Sequence, residues 1–148
     1  MVSAPALNRR WWATTGGGAY TGRSILSATE LRVSRVAEIA DSSLSYSDIA
    51  EWVETGRGQG FIDLMRNSWR TRAYGDFWSY MLVAEGCVDV ACEPDLALYD
   101  MAALDVIVRE AGGRFSNLDG VDGVGGPGAL ATNGLLHQAV MDHLRPLG

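Results

Sequence analysis

The stretch CEPDLALYDMAALDVIVREAGG, residues 92–113, most constrains how the chain can fold. A strand-like run, VDVACE, leads into it and ends on the acidic Glu93. Asp100 stands seven positions later, immediately before the apolar positions Met101, Leu104, Val108 and Ala111, with Ala103 and Ile107 beside them. Spacings of three and four lay these on one helical face, which predicts a helix over 101–111. An Asp ahead and Gly112-Gly113 behind are the matching start and stop signals. Two carboxylates therefore flank a strand-to-helix junction, the place where α/β folds commonly bind ligands.

Such a junction allows two chemistries. A helix N-terminus carries unpaired N–H groups and partial positive charge, so it attracts phosphate. An Asp at that position either caps the helix, worth about 1 kcal/mol, or lends its oxygens to Mg²⁺, which prefers carboxylate, water and phosphate ligands. Spacing alone leaves both readings of Asp100 open. Asp76, after Gly75, sits at a second such junction with the same cap reading. Glu93, taken by itself, is equally a solvated strand end.

A chain of 148 residues is long enough for one ordinary domain with a sizeable core. Its net charge of −6 argues against a duplex-DNA binder, and no apolar run approaches membrane-spanning length. MVSAPALNRRWW lacks the apolar segment of a secretory signal. Cys87 and Cys92 have no CxxC frame and read as reduced thiols, which gives a cytoplasmic expectation.

Strands are expected at 9–15, 31–34, 37–43, 69–73, 87–93, 114–117 and 129–132. Helices are expected through 48–53 with Ser45 or Ser47 as cap, and at 61–69, 77–85, 101–111 and 134–144, the last capped by Asn133. Gly16-Gly17-Gly18 reads as a hairpin turn, because neither a GxxxxGK[ST] nor a GxGxxG phosphate loop is present. Residues 55–60 and 119–128 read as loops. Strands alternating with helices from residue 37 onward predict an α/β fold, a mixed sheet flanked by helices. His137 and His143, six apart, fall on different faces of the last helix, and no serine has a nucleophile motif.

Several segments together resemble the inositol monophosphatase-like family. They are Tyr99-Asp100-Met101-Ala102-Ala103, Glu110-Ala111-Gly112-Gly113, the run RAYGDFWSYMLVAEGCVDV, the closing ALATNGLLHQAVMDHL and the early RRWWATTGGGAYTG. Within the family the chain is most similar to the actinobacterial-type histidinol-phosphate phosphatases, through Ala-Leu-Asn-Arg-Arg-Trp-Trp, Tyr-Gly-Asp-Phe-Trp and Glu-Pro-Asp-Leu-Ala-Leu-Tyr-Asp. The resemblance implies Mg²⁺-dependent hydrolysis of a phosphate monoester, histidinol phosphate first and an inositol or sugar phosphate second. It implies Asp100 as a metal ligand and Gly75, Asp76 and Glu93 as the substrate-binding group. An acidic Asp76, where inositol-handling relatives often carry Ser or Thr, suits a cationic amino alcohol. The family's G-E-E/D and D-P-I/L-D-G-T segments, which supply most of its metal site, are absent here. Residues 1–148 are thus expected to be the C-terminal subdomain of such a phosphatase, weakly active or inactive alone. A homodimer, a complementing N-terminal half, or a purely non-catalytic interaction role are the expectations for partners.

Overall fold

The computed structural model describes residues 1–146. The first third is an antiparallel meander of β1 (Val2–Ala4), β2 (Arg9–Ala13), β3 (Ala19–Thr21) and β4 (Thr29–Glu30), paired in that order. The triple glycine closes the β2–β3 hairpin, and Gly16 and Gly18 adopt φ of 74° and 80°, which only glycine takes cheaply. Their N–H groups donate to the Glu110 carboxylate at 2.8 and 2.9 Å, so the turn is clasped by a protein anion.

The remainder builds the α/β part. β5 (Ser43–Ser45) is followed by α1 (Ile49–Val53), α2 (Gly58–Asn67), β6 (Arg70–Arg72) and α3 (Asp76–Ala84). Then come β7 (Val90–Glu93), α4 (Leu98–Glu110), β8 (Arg114–Ser116), β9 (Ala129–Thr132) and α5 (His137–His143). The five strands order as β6-β5-β7-β9-β8, with β5 parallel to both β6 and β7, and β9 antiparallel to β7 and β8. The expected mixed sheet flanked by helices is present.

Strand alternation sets the layers. On β7 and β9 the small Ala91, Ala129 and Ala131 point to one face, where α3 and α4 pack closely together with the inner face of the meander. Val90, Cys92 and Leu130 point to the other face, against Trp52, Phe61, Leu64, Val140 and Leu144 of the α1, α2 and α5 layer. Trp52 stacks on Phe61 at 4.3 Å between ring centroids there. Trp11, fully buried, donates its Nε1–H to Glu85 at 2.6 Å, and Arg9 reaches the same carboxylate, which ties the meander to the end of α3.

Several expectations are corrected. Residues 31–34 and 37–43 do not form strands of their own: Val33 N–H bonds the Ala111 carbonyl, and a 3₁₀ turn occupies Ile39–Asp41 before β5 begins. Asp48, not Ser45 or Ser47, caps α1 by accepting from Ala50 N–H at 2.8 Å. Part of the presumed loop 55–60 is helical, since α2 starts at Gly58. α5 begins only at His137; Asn133 accepts from Leu136 N–H ahead of it, while its amide bonds Ser34 and the Val36 carbonyl. A conformationally tethered connector thus replaces a first helical turn.

Candidate active-site cleft

Parallel β5 and β7 end on the same side of the sheet, and α1, α3 and α4 all start there. This edge gathers the carboxylates of the two strand-to-helix junctions. Asp76 is exposed at the first position of α3, with Gly75 before it as N-cap. Gly75 has φ 75° and Asp76 φ 47°, so two successive left-handed residues open the helix. Left-handed backbone at a non-glycine residue is uncommon and costs energy the surroundings must offset. Asp76 is therefore not the helix cap.

Asp100 is not a cap either. α4 begins at Leu98 with Ala97 at the cap position and no side-chain cap bond, so Asp100 lies within the first turn. Its carboxylate is exposed, at the positive end of the helix. The cap reading fails for both aspartates, which leaves two acidic groups at helix starts without a capping duty.

Glu93 differs most from a solvated strand end. The residue is 4% exposed, and its Oε1 has no hydrogen-bond partner. Burial, then the charges of Asp76, Glu51 and Asp100, push its pKa up to about 7, while the Ser47 hydroxyl is the neighbour that favours the ionised form. Tyr80 of α3 is also fully buried with its hydroxyl unpartnered, and burial and the nearby Glu93 raise its phenol further. Asp76, Phe77, Tyr80, Leu96, Asp100 and Leu104 line a cleft of about 320 Å³ over this spot.

Larger hollows exist but lack this chemistry. One of about 390 Å³ gathers Arg57, Arg114 and Arg145. Each of those guanidiniums already pairs with an aspartate: Asp119, Asp122 and Asp142 respectively. Another, of about 680 Å³, runs beside the edge strand β6. Among the described residues only four buried side-chain polar atoms lack partners; two of them belong to Glu93 and Tyr80, and Tyr80 lines the 320 Å³ cleft. A buried orphan oxygen is costly unless a ligand satisfies it.

The described residues do not form a complete metal site. Among the described residues no group of three or more His, Cys, Asp or Glu side chains comes close enough to hold an ion. Asp100, free and exposed, fits as one oxygen ligand; the described residues do not complete a Mg²⁺ shell. His137 takes no part, since it is buried between Ser116 and Thr132, its Nε2 2.9 Å from the Ser116 hydroxyl. Burial and Arg114 lower its pKa to about 4.

Sequence reasoning placed Gly75, Asp76, Glu93 and Asp100, and the fold brings them to one edge. It missed Glu51 and Tyr80. Tyr80 was legible only as part of the apolar face Phe77, Tyr80, Met81, and Glu51 as a surface acid of α1. Neither carries a local motif.

The model of the inositol monophosphatase family matches residues 1–146. The chain belongs to that family. A histidinol-phosphatase of Streptomyces coelicolor is 56% identical over 97% of this chain and 54% of its own length. One from Mycobacterium tuberculosis is 54% identical over 97% of the chain and 55% of its own. Among solved structures, the Thermotoga maritima IMPase superposes with a TM-score of 0.81 at 26% identity, covering 95% of this chain and 53% of that one. The chain thus spans about half the length of the curated relatives it matches.

Proposed function

We propose that this chain is the alcohol-binding half of a Mg²⁺-dependent phosphomonoesterase whose substrate alcohol is a cationic amino alcohol, L-histidinol. The observation that carries the reading is the buried, partnerless Glu93 oxygen, set among Asp76, Asp100 and Glu51 beside an open cleft. Asp76 and Asp100 lining the hollow, with Glu93 and Glu51 near enough to act on them through space, suit a ligand that brings positive charge and hydrogen-bond donors; an uncharged polyol brings only the donors. Glu93 would accept from the ammonium or hydroxyl group, and Asp76 would add the second negative charge. Names borne by the relatives at 54–56% identity support histidinol phosphate over inositol phosphate.

Bound Mg²⁺ would supply an activated water and stabilise the leaving alkoxide. Asp100 would contribute one carboxylate oxygen to it, and the family segments absent from this chain would contribute the rest. Residues 1–148 are, in this reading, the C-terminal subdomain, with little or no Mg²⁺-dependent turnover alone. Two free cysteines and no helix, among the described residues, long and apolar enough to cross a membrane suit a cytoplasmic enzyme.

Calorimetry on the purified chain tests this directly, with L-histidinol and myo-inositol as ligands at pH 8. Histidinol is expected to bind, and Glu93→Gln or Asp76→Asn to weaken it by about tenfold, the scale of one charge-assisted contact. Equal or tighter binding of inositol would sink the substrate assignment. A parallel Mg²⁺ titration, with and without phosphate, should show weak binding that Asp100→Asn removes.

A further inference from the structure

The residues that line the 320 Å³ cleft divide by what each can offer a ligand. Asp76 and Asp100 bring carboxylates, which when ionised only accept hydrogen bonds. Phe77, Leu96 and Leu104 bring apolar surface, and Tyr80 brings the one hydroxyl. Tyr80 is 0% exposed, so it belongs to the floor of the cleft, with its ring centroid 5.8 Å from that of Phe115. Its neighbour in sequence supplies the contrast. Ser79, equally buried on α3, shares its hydroxyl with Ser45 at 2.7 Å, whereas the Tyr80 hydroxyl has no partner. A phenol shut away without a partner costs free energy, and phenylalanine would fill the same space without that cost. Burial, then the charge of Glu93, keeps the phenol protonated, so it remains a donor.

We infer that Tyr80 sets which alcohol the cleft accepts: its O–H donates to the acceptor nitrogen of a flat heterocycle carried by the substrate alcohol. The inference rests on the amino-alcohol reading above and adds the residue that recognises the rest of that molecule. A neutral imidazole carries one N–H donor and one bare nitrogen acceptor. The carboxylates can take the ligand's donors. Among the side chains lining the cleft, only the Tyr80 hydroxyl can answer the bare nitrogen. Phe77, Leu96 and Leu104 supply apolar walls of the kind that hold a flat ring, with a few polar groups fixing its orientation.

Calorimetry on the purified chain at pH 8, where imidazole is neutral, tests the role with L-histidinol and L-phenylalaninol. These ligands share the amino alcohol and differ in the ring nitrogens. Tyr80→Phe should shift the ratio of the two affinities about tenfold towards phenylalaninol, the scale of one hydrogen bond. The shift is expected to come from weaker histidinol binding, with phenylalaninol unchanged. The variant's thermal midpoint should equal or exceed that of the wild type, because removing the hydroxyl strands no partner. An unmoved ratio, or an equal loss for both ligands, overturns the inference. So does a marked fall in the midpoint, which would make the hydroxyl a structural group. Histidinol binding that weakens in Asp76→Asn but not in Tyr80→Phe leaves the amino-alcohol reading standing and removes this inference alone. Absence of histidinol binding by the wild type overturns both.

Discussion

Two buried carboxylates flank the same strand and have opposite fates. Asp89, just before β7, is 6% exposed and fully engaged. It accepts from the Ser43 N–H at 2.6 Å and from the Ser34 hydroxyl, which in turn accepts from Asn133 at 3.0 Å. Its backbone carbonyl takes the Asn133 N–H as well. Glu93, four residues on at the other end of β7, is buried to the same degree, yet one oxygen has no donor and three other acids crowd it. Burial alone therefore does not distinguish an acid satisfied within the fold from one left with an open lone pair; the count of donors does. Asp89 locks the sheet to the 31–36 connector. Glu93 keeps one oxygen without a donor among the described residues.

The largest effect expected from this contrast is at the satisfied end. Asp89→Ala strips partners from the Ser43 N–H and the Ser34 hydroxyl and should cost about 3 kcal/mol of stability, typical for one side of a buried hydrogen-bonded network. Urea denaturation would measure it; a loss within the range of ordinary surface substitutions would erase the distinction.

Glu93→Gln should act in the opposite direction. A raised carboxyl pKa means that the folded state holds its proton more tightly than the unfolded chain. The stability this contributes is fully present below the ordinary value of 4.5 and is lost as pH rises through about 7. Wild type should thus lose stability relative to Glu93→Gln across that window, with the variant the more stable of the two at pH 8. Thermal unfolding of both proteins from pH 4 to pH 8 reads the difference, and parallel curves would mean that Glu93 is paired after all.

The smallest effect sharpens the comparison. Asp76→Asn keeps a residue type that tolerates left-handed backbone while removing one of the charges facing Glu93. The Glu93 pKa should fall from about 7, yet stay above the ordinary value because burial is the larger cause. Carboxyl-carbon NMR titration of Glu93 would follow it; an unmoved midpoint would separate Asp76 from the site.

Much of the β7–α4 unit was legible in residues 87–113. Alternation and the three-four spacing of Met101, Leu104 and Val108 are local patterns, and the fold keeps them. Boundaries were less legible. α4 starts three residues earlier than its Asp suggests because Ala97, rather than Asp100, takes the extended cap conformation. The segments 31–34 and 37–43 failed as strands because their backbone groups find partners across the chain, in Ala111 and in short turns, which no local pattern announces. Asn133 looked like a cap, but its amide is held by the distant Ser34 and Val36.

By itself, then, the sequence determined the α/β alternation, the hairpin glycines and the acids at the two junctions, since each depends on backbone preferences within a few residues. Only the tertiary structure decided how those acids are buried and which groups face them. Glu93 becomes an orphan, and Glu51 and Tyr80 become its neighbours, because β5, β7, α1 and α3 converge at one sheet edge. Desolvation and through-space charge depend on that convergence, and neither is written in the spacing of residues along a chain.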